Sequence, residues 1–190
     1  MRKLKLHMQI TVDGFVAGQN GELDWMTFNQ DDRLKEFTNE LVDTSDTILL
    51  GRKMTDGFIA HWENVVDTQA ETPGYSLAKK MVDYHKVVFS KTLTSVTGRN
   101  TVVENGDLAT AVGKLKNKSG KDIVVYGGAD FVSSLIKEGL VDELNLFVNP
   151  VMINSGMRIF DSLDHRQKLT LISATAYECG ITVLRYKFKQ

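Results

Sequence analysis

The sequence predicts an α/β fold on a mixed sheet, mostly parallel, with antiparallel strands at its C-terminal end. Three observations carry this. Short apolar runs alternate with segments of helical periodicity over the first two thirds of the chain, as parallel strands with crossover helices require. The last third is mostly strand, which adds antiparallel pairing. Two of the apolar runs also stop at a glycine where a helix begins. One is Thr47-Ile48-Leu49-Leu50 into Gly51-Arg52-Lys53, and the other is Ile123-Val124-Val125-Tyr126 into Gly127-Gly128-Ala129.

The elements follow in order. Leu4 to Val12 alternates, with Leu4, Leu6, Met8 and Ile10 on one face of a strand. Asp13-Gly14 breaks it, and Gly18, Asn20 and Gly21 mark a mobile loop. Leu34, Phe37, Leu41 and Val42 have helical spacing, so Asp31 to Asp43 reads as an amphipathic helix with an acidic start. The strand Thr47–Leu50 and the Gly51 junction come next. Ala60 to Thr72, which carries His61-Trp62, has no clear periodicity and reads as a loop. Thr72-Pro73 reads as an N-cap with proline in the first turn of a helix lined by Leu77, Met81 and Tyr84. Lys86–Ser90 and Thr101–Val103 are short strands. Asp107 caps a helix with the stripe Leu108, Val112 and Leu115. After the strand Asp122–Tyr126, a helix carries Phe131, Val132, Leu135 and Ile136 and ends at Gly139. Glu143–Asn149 alternates until Pro150 stops it, and Lys168–Ala174 and Ile181–Phe188 are the last strands. With no repeat or low-complexity linker, residues 1–190 read as a single domain.

The totals exclude several functions. A net charge of -1 provides no global field for nucleic acid or an anionic membrane. The run Lys114-Leu115-Lys116-Asn117-Lys118 has no interleaved aromatics and reads as a solvated helix end. No apolar run is long enough to span a bilayer or form a signal peptide. The lone Cys179 has no disulfide partner, and a cytoplasmic protein is the simplest reading. His7, His61, His85 and His165 are scattered without ligand spacing, so no metal site is expected.

The two glycine junctions carry the chemistry. A helix start has unpaired N–H groups and a partial positive charge, and glycine lets the backbone approach a phosphate closely. Two such ends suit an extended dinucleotide, although ordinary βα turns also favour glycine. The wider motif order resembles the dihydrofolate reductase superfamily. Within it the chain is closest to the reductase domain of bacterial riboflavin biosynthesis, the RibD C-terminal type, and its stand-alone relatives. The resemblance rests on Thr11-Val12-Asp13-Gly14-Phe15-Val16-Ala17, Asp24-Trp25, Leu50-Gly51-Arg52-Lys53 and Val125-Tyr126-Gly127-Gly128-Ala129. Gly139-Leu140-Val141-Asp142-Glu143-Leu144 and Pro150-Val151-Met152-Ile153 complete it.

The resemblance implies a dihydrofolate-reductase-like three-layer fold with NADPH in a cleft. It places the cofactor's phosphates between Gly51-Arg52-Lys53 and Gly127-Gly128-Ala129, with Gly127 and Gly128 against the pyrophosphate and nicotinamide ribose. It also places Ala17 and Gly18 against the nicotinamide, and Ser90 and Lys91 at the 2′-phosphate. Trp25 would close a loop over the substrate. Relatives of this type are commonly homodimers. Leu144, Leu146 and Val148 on one strand face and Phe147 on the other point to a surface that needs cover.

Two departures narrow the function. The pterin-binding acid of dihydrofolate reductases falls, counting back from Gly51, on Lys35, with Glu36 turned about 100° away on the helix. Negligible dihydrofolate reduction is therefore expected. After Pro150, where relatives carry a glycine cluster, the chain reads Asn154-Ser155-Gly156. The expected function is an NADPH-dependent reductase of a small, heterocyclic substrate. Asp13, Asp24 and Glu36 are the candidate proton donors. One alternative is riboflavin-pathway reduction of a ribosylamino-pyrimidine phosphate. Another is an NADPH-binding protein without turnover.

Overall fold

The structure is a computed structural model and describes residues 1–189. Thirteen elements follow in order: β1 (Leu4–Thr11), α1 (Asp32–Asp43), β2 (Ser45–Gly51), α2 (Arg52–Thr68), α3 (Tyr75–Asp83), β3 (His85–Phe89), β4 (Thr101–Glu104), α4 (Leu108–Asn117), β5 (Asp122–Val125), α5 (Ala129–Lys137), β6 (Glu143–Asn149), β7 (Leu169–Ala176) and β8 (Thr182–Phe188). The strands form one eight-stranded sheet in the order β4-β3-β2-β5-β1-β6-β8-β7. The first six are parallel, and β8 and β7 add antiparallel pairs. This is the mixed α/β sheet that the alternation of segments predicts.

Helices cover both faces. Leu4, Leu6, Met8 and Ile10 of β1 join Leu49, Val87, Ile123 and Val125 beneath Val112 and Leu115 of α4 and Val132, Leu135 and Ile136 of α5. On the other face, Ile48, Leu50, Val88 and Val124 pack against Met54, Phe58 and Trp62 of α2 and Met81 of α3. There α1 packs Leu34 and Leu41 against Phe147, Ile181 and Val183. The Asp31 carboxylate caps α1 through the Leu34 N–H at 3.0 Å and also accepts from the Cys179 N–H at 3.1 Å. No helix among the described residues is long and apolar enough to cross a membrane.

Three expectations are corrected. His61 and Trp62 lie in α2, not in a loop, because Met54, Thr55, Phe58, Ile59, Trp62 and Val65 continue a helical stripe past Gly57. Thr72 does not cap α3. Its hydroxyl donates back to the Gln69 carbonyl at 2.9 Å, and Gly74 takes the cap position without a side-chain bond. The strand faces singled out as needing cover are also not open. β6 lies between β1 and β8, with Leu144 and Leu146 in one core layer and Phe147 in the other. The exposed strand is β7, with Leu171 55% and Ile172 41% exposed.

Lys86 of β3 is fully buried, 2% exposed, and closes the end of α3. Its ammonium donates to the carbonyls of Met81 (3.0 Å), Val82 (2.7 Å) and Tyr84 (3.0 Å). A cation at this end also matches the helix dipole. Burial pushes its pKa down to about 8. Lys86→Met leaves three carbonyls without their donor. A loss of about 1–3 kcal/mol is expected in chemical denaturation, at the cost of an unpaired buried group.

Candidate functional site

β4, β3, β2, β5 and β1 run in one direction, so their C-terminal ends share one edge of the sheet. The segments leaving that edge carry Asn105-Gly106, Ser90-Lys91, Gly51-Arg52, Tyr126-Gly127-Gly128 and Val12-Asp13. α2 leaves Gly51 over one face and α5 leaves Gly128 over the other. In open parallel sheets, such a reversal between neighbouring strands opens a ligand crevice.

The two glycine junctions meet there. A Cβ on Gly128 would lie 3.6 Å from the Gly51 Cα, and Gly128 holds φ +51, which a side chain disfavours. A Cβ on Gly51 would meet the Phe131 Cβ at 2.7 Å, so this glycine also serves helix–strand packing. Neither α2 nor α5 has a side-chain cap at its N-terminus. The first turn of α2 holds Arg52 and Lys53 and no acid, against the preference of the helix dipole. An anion bound there would reconcile the two. Lys53 Nζ meets Asp130 Oδ2 of α5 at 2.8 Å in an exposed pair, and Arg52 projects into solvent. Next to them, Ser90 is buried and its Oγ accepts from the N–H groups of Thr92 (3.1 Å) and Leu93 (2.9 Å), leaving its own proton to donate. Lys91 Nζ donates to the carbonyls of Gly106 (2.7 Å) and Asn105 (3.3 Å), which leaves one N–H free of those bonds. These residues fit a phosphorylated dinucleotide.

The loop after β1 is held by the segment after β6. Val12 N–H donates to the Val151 carbonyl at 2.9 Å, and Ala17 and Met157 form an antiparallel bridge. Gly156 permits that bridge, because a Cβ there would lie 2.1 Å from the Ala17 carbonyl oxygen. Asn154-Ser155-Gly156 thus retains the one glycine that the close approach requires. The Asp13 carboxylate accepts from the Thr11 hydroxyl (2.6 Å) and the N–H groups of Asn154 (2.8 Å) and Ile153 (3.1 Å). The Thr11 hydroxyl first, then those N–H groups, holds it below the usual carboxylate range. Its geometry is that of an ionised clamp.

The other candidates lie further out. Asp24 is exposed on the loop, and Trp25 is half-buried with Nε1 donating to the Glu22 carbonyl at 3.2 Å. Lys35 and Glu36 are exposed on the outer side of α1, where Lys35 pairs with Asp32 at 3.1 Å. The side of α1 facing the sheet carries Leu34, Leu41 and Val42. Neither Lys35 nor Glu36 is buried beside the sheet.

Sequence reasoning passed over His7 and Tyr126. His7 is 5% exposed on β1, its Nε2 has no partner, and neither does the buried Tyr126 hydroxyl. Their rings meet edge to face at 5.6 Å. Burial first, and then the Lys5 and Arg185 charges, push the His7 pKa down to about 3, so its imidazole is neutral. Each orphaned atom costs about 1–3 kcal/mol unless a ligand or water satisfies it. One signal was available in the sequence: Lys5, His7, Gln9 and Thr11 form a polar face on a strand central to a parallel sheet, where both faces are normally apolar.

The RibD C-terminal domain family model matches residues 2–183. The chain belongs to this family. It is 32% identical over 185 residues to the uncharacterized protein YyaP of Bacillus subtilis (strain 168), covering 97% of this chain and 94% of that protein. Its fold is similar to that of a putative riboflavin biosynthesis protein from Shewanella sp. PV-4, with TM-score 0.71, 22% identity and full coverage of both chains. It is also similar to a diaminohydroxyphosphoribosylaminopyrimidine deaminase/5-amino-6-(5-phosphoribosylamino)uracil reductase from Thermotoga maritima, with TM-score 0.69 and 13% identity. That match covers 99% of this chain but 57% of the Thermotoga chain. The RibD C-terminal fold is thus the dihydrofolate-reductase-like α/β architecture.

Asp13→Asn leaves a single neutral oxygen to accept the two loop N–H groups. Hydrogen exchange read as protection factors is expected to show Ile153 and Asn154 losing protection several-fold in that variant. In the wild type, the clamp is fully present above the ordinary carboxylate pKa. It is lost as pH falls through the depressed value of Asp13, and the same two amides report that loss.

Proposed function

We propose that this member of the RibD C-terminal family is an NADPH-dependent reductase that passes a hydride to a small heterocyclic substrate. The observation that carries the reading is the approach of Gly51 to Gly128, where two uncapped helix starts leave opposite faces of a parallel sheet. NADPH, when bound, supplies the hydride. The N–H groups from Gly51 to Lys53 and from Gly127 to Ala129 would hold its pyrophosphate. The Ser90 hydroxyl, Lys91 and Arg52 would hold the 2′-phosphate, and Ala17 and Gly18 would cover the nicotinamide and exclude water. The substrate side lies under α1, where no acid faces the sheet as a dihydrofolate reductase would require. A ribosylamino-pyrimidine phosphate, the substrate type named for the Thermotoga chain, is the alternative within the class.

A second reading, a cofactor-binding protein without turnover, is favoured by one observation. Asp13 is committed as a clamp, while Asp24 and Glu36 face solvent, so none of the three is a buried proton donor. Turnover of NADPH with a panel of pyrimidines, pterins and quinones separates the readings.

We also propose a homodimer that covers the exposed β7 residues Leu171 and Ile172. Light scattering at micromolar concentration should give twice the monomer mass, and Leu171→Lys should shift the protein to monomer. For the cofactor, calorimetry at low salt should show NADPH binding tighter than NADH by roughly one to two decades, the worth of a charged hydrogen bond. Lys91→Ala should remove most of that difference by weakening NADPH and leaving NADH nearly unchanged. Equal affinities for the two in the wild type would reject the assignment of Ser90, Lys91 and Arg52.

A further inference from the structure

A row of polar side chains crosses the middle of the sheet on the face that α1 covers. His7 of β1 lies opposite Asn145 of β6, and Asn145 lies opposite Arg185 of β8. Tyr126 extends the row on the other side, since Val125 of β5 pairs with Leu6 and Tyr126 follows beside His7. Four strands about 4.8 Å apart make the row roughly 14 Å long, the scale of a small ring with a substituent.

The outer half of the row is internally satisfied. Arg185 Nε donates to Asn145 Oδ1 at 2.9 Å, the Asn145 amide donates to the Leu6 carbonyl at 3.2 Å, and the Phe37 ring of α1 lies 5.7 Å from the Arg185 guanidinium. The inner half is not. His7 Nε2 and the Tyr126 hydroxyl are both buried and both without a partner, although the rings touch. Phe58 of α2 stacks on the other side of Tyr126 at 6.0 Å and fixes that ring. Thr38, Asn39 and Ser45 also hold unpartnered buried oxygens, but His7 and Tyr126 are two such side chains whose rings are in contact.

Their position gives the pair a role. Tyr126 precedes Gly127, so its Cα is about 3.8 Å from that of the glycine at the second junction. A Cβ on Gly127 would meet Met54 Sδ at 3.2 Å and Met8 Cε at 3.9 Å, both apolar neighbours. A neutral imidazole and a phenol each give and take a hydrogen bond. Together they match an uncharged edge that presents a donor beside an acceptor. With the Lys5 and Arg185 cations near His7, a positively charged ring edge is disfavoured.

We propose that His7 and Tyr126 are specificity-determining residues that grip an uncharged N–H/C=O edge of the ring substrate. The placement of this pair beside the reacting end rests on the reductase reading, but the pair's recognition of such an edge does not.

Two bicyclic probes of nearly equal size test it: quinazolinone, which carries an N–H/C=O edge, and quinazoline, which lacks it. Binding of each is measured by calorimetry to wild type, Tyr126→Phe and His7→Leu, with NADPH affinity measured separately on each protein. The wild type is expected to prefer quinazolinone by about tenfold or more. Each substitution should weaken quinazolinone by roughly threefold to tenfold, the range of a neutral hydrogen bond, and leave quinazoline unchanged. The melting temperature of free Tyr126→Phe should equal or exceed that of the wild type, because an unpaired buried hydroxyl is removed. Equal quinazolinone affinity across the three proteins overturns the proposal, as does absence of quinazolinone binding to the wild type at millimolar concentration. A protein that grips quinazolinone through His7 and Tyr126 but does not bind NADPH keeps this proposal and refutes the cofactor reading. Normal NADPH affinity with no effect of either substitution does the reverse.

Discussion

The insertion of β5 between β2 and β1 is the constraint on which the rest of the structure depends. It brings the Gly51 and Gly128 junctions side by side although 77 residues separate them in the chain, and it sends α2 and α5 over opposite faces. A side chain at Gly51 would push Phe131 away and separate α5 from β2. The same small-residue contact therefore closes the core and opens the crevice. Parallel pairing supplies the direction: strand ends, helix starts and their dipoles all converge on one edge.

β1 has a double role on that scaffold. Its Leu4, Leu6, Met8 and Ile10 face is core of the ordinary kind, and its opposite face carries Lys5, His7, Gln9 and Thr11. Lys5 is neutralised by Asp122 at 2.7 Å, Gln9 accepts from the Asn149 amide at 2.7 Å, and Thr11 is used by the loop. Of these four side chains, only that of His7 keeps a buried atom without a partner. Polar burial along this strand is compensated everywhere except at His7.

The repeating stripes were legible from sequence because helix and strand periodicity report burial directly. The α1 stripe, the Asp107 cap of α4 and the glycine junctions are local signals that survive folding unchanged. What was not legible depends on partners distant in sequence. The alternation of Lys5, His7 and Gln9 reads as a wet face until β5 and β6, each more than 115 residues away, are seen to flank β1 and α1 to cover it. Lys86 reads as a surface cation until the end of α3 is seen to turn onto it. Gly57 obscured the long stripe of α2, although the apolar spacing ran straight through it. Asp13, an Asp-Gly turn residue on sequence, is placed by Ile153 and Asn154, a contact that no local reading contains.

The central position of β1 also orders the birth of the protein. Its two neighbours in the sheet are β5 and β6, while the next strand in the chain, β2, pairs with β3 and β5 instead. As the chain leaves the ribosome, β2, β3 and β4 can assemble with α2 and α3 while β1 has no strand to join. Its apolar stripe waits for residues 122–149 to be synthesised, at about 5–20 residues per second. Loop closure over such separations is entropically costly and slow compared with the local pairings. The crevice therefore cannot form before β5 and β6 are made, and a chain truncated before β5 has a partial sheet and no site.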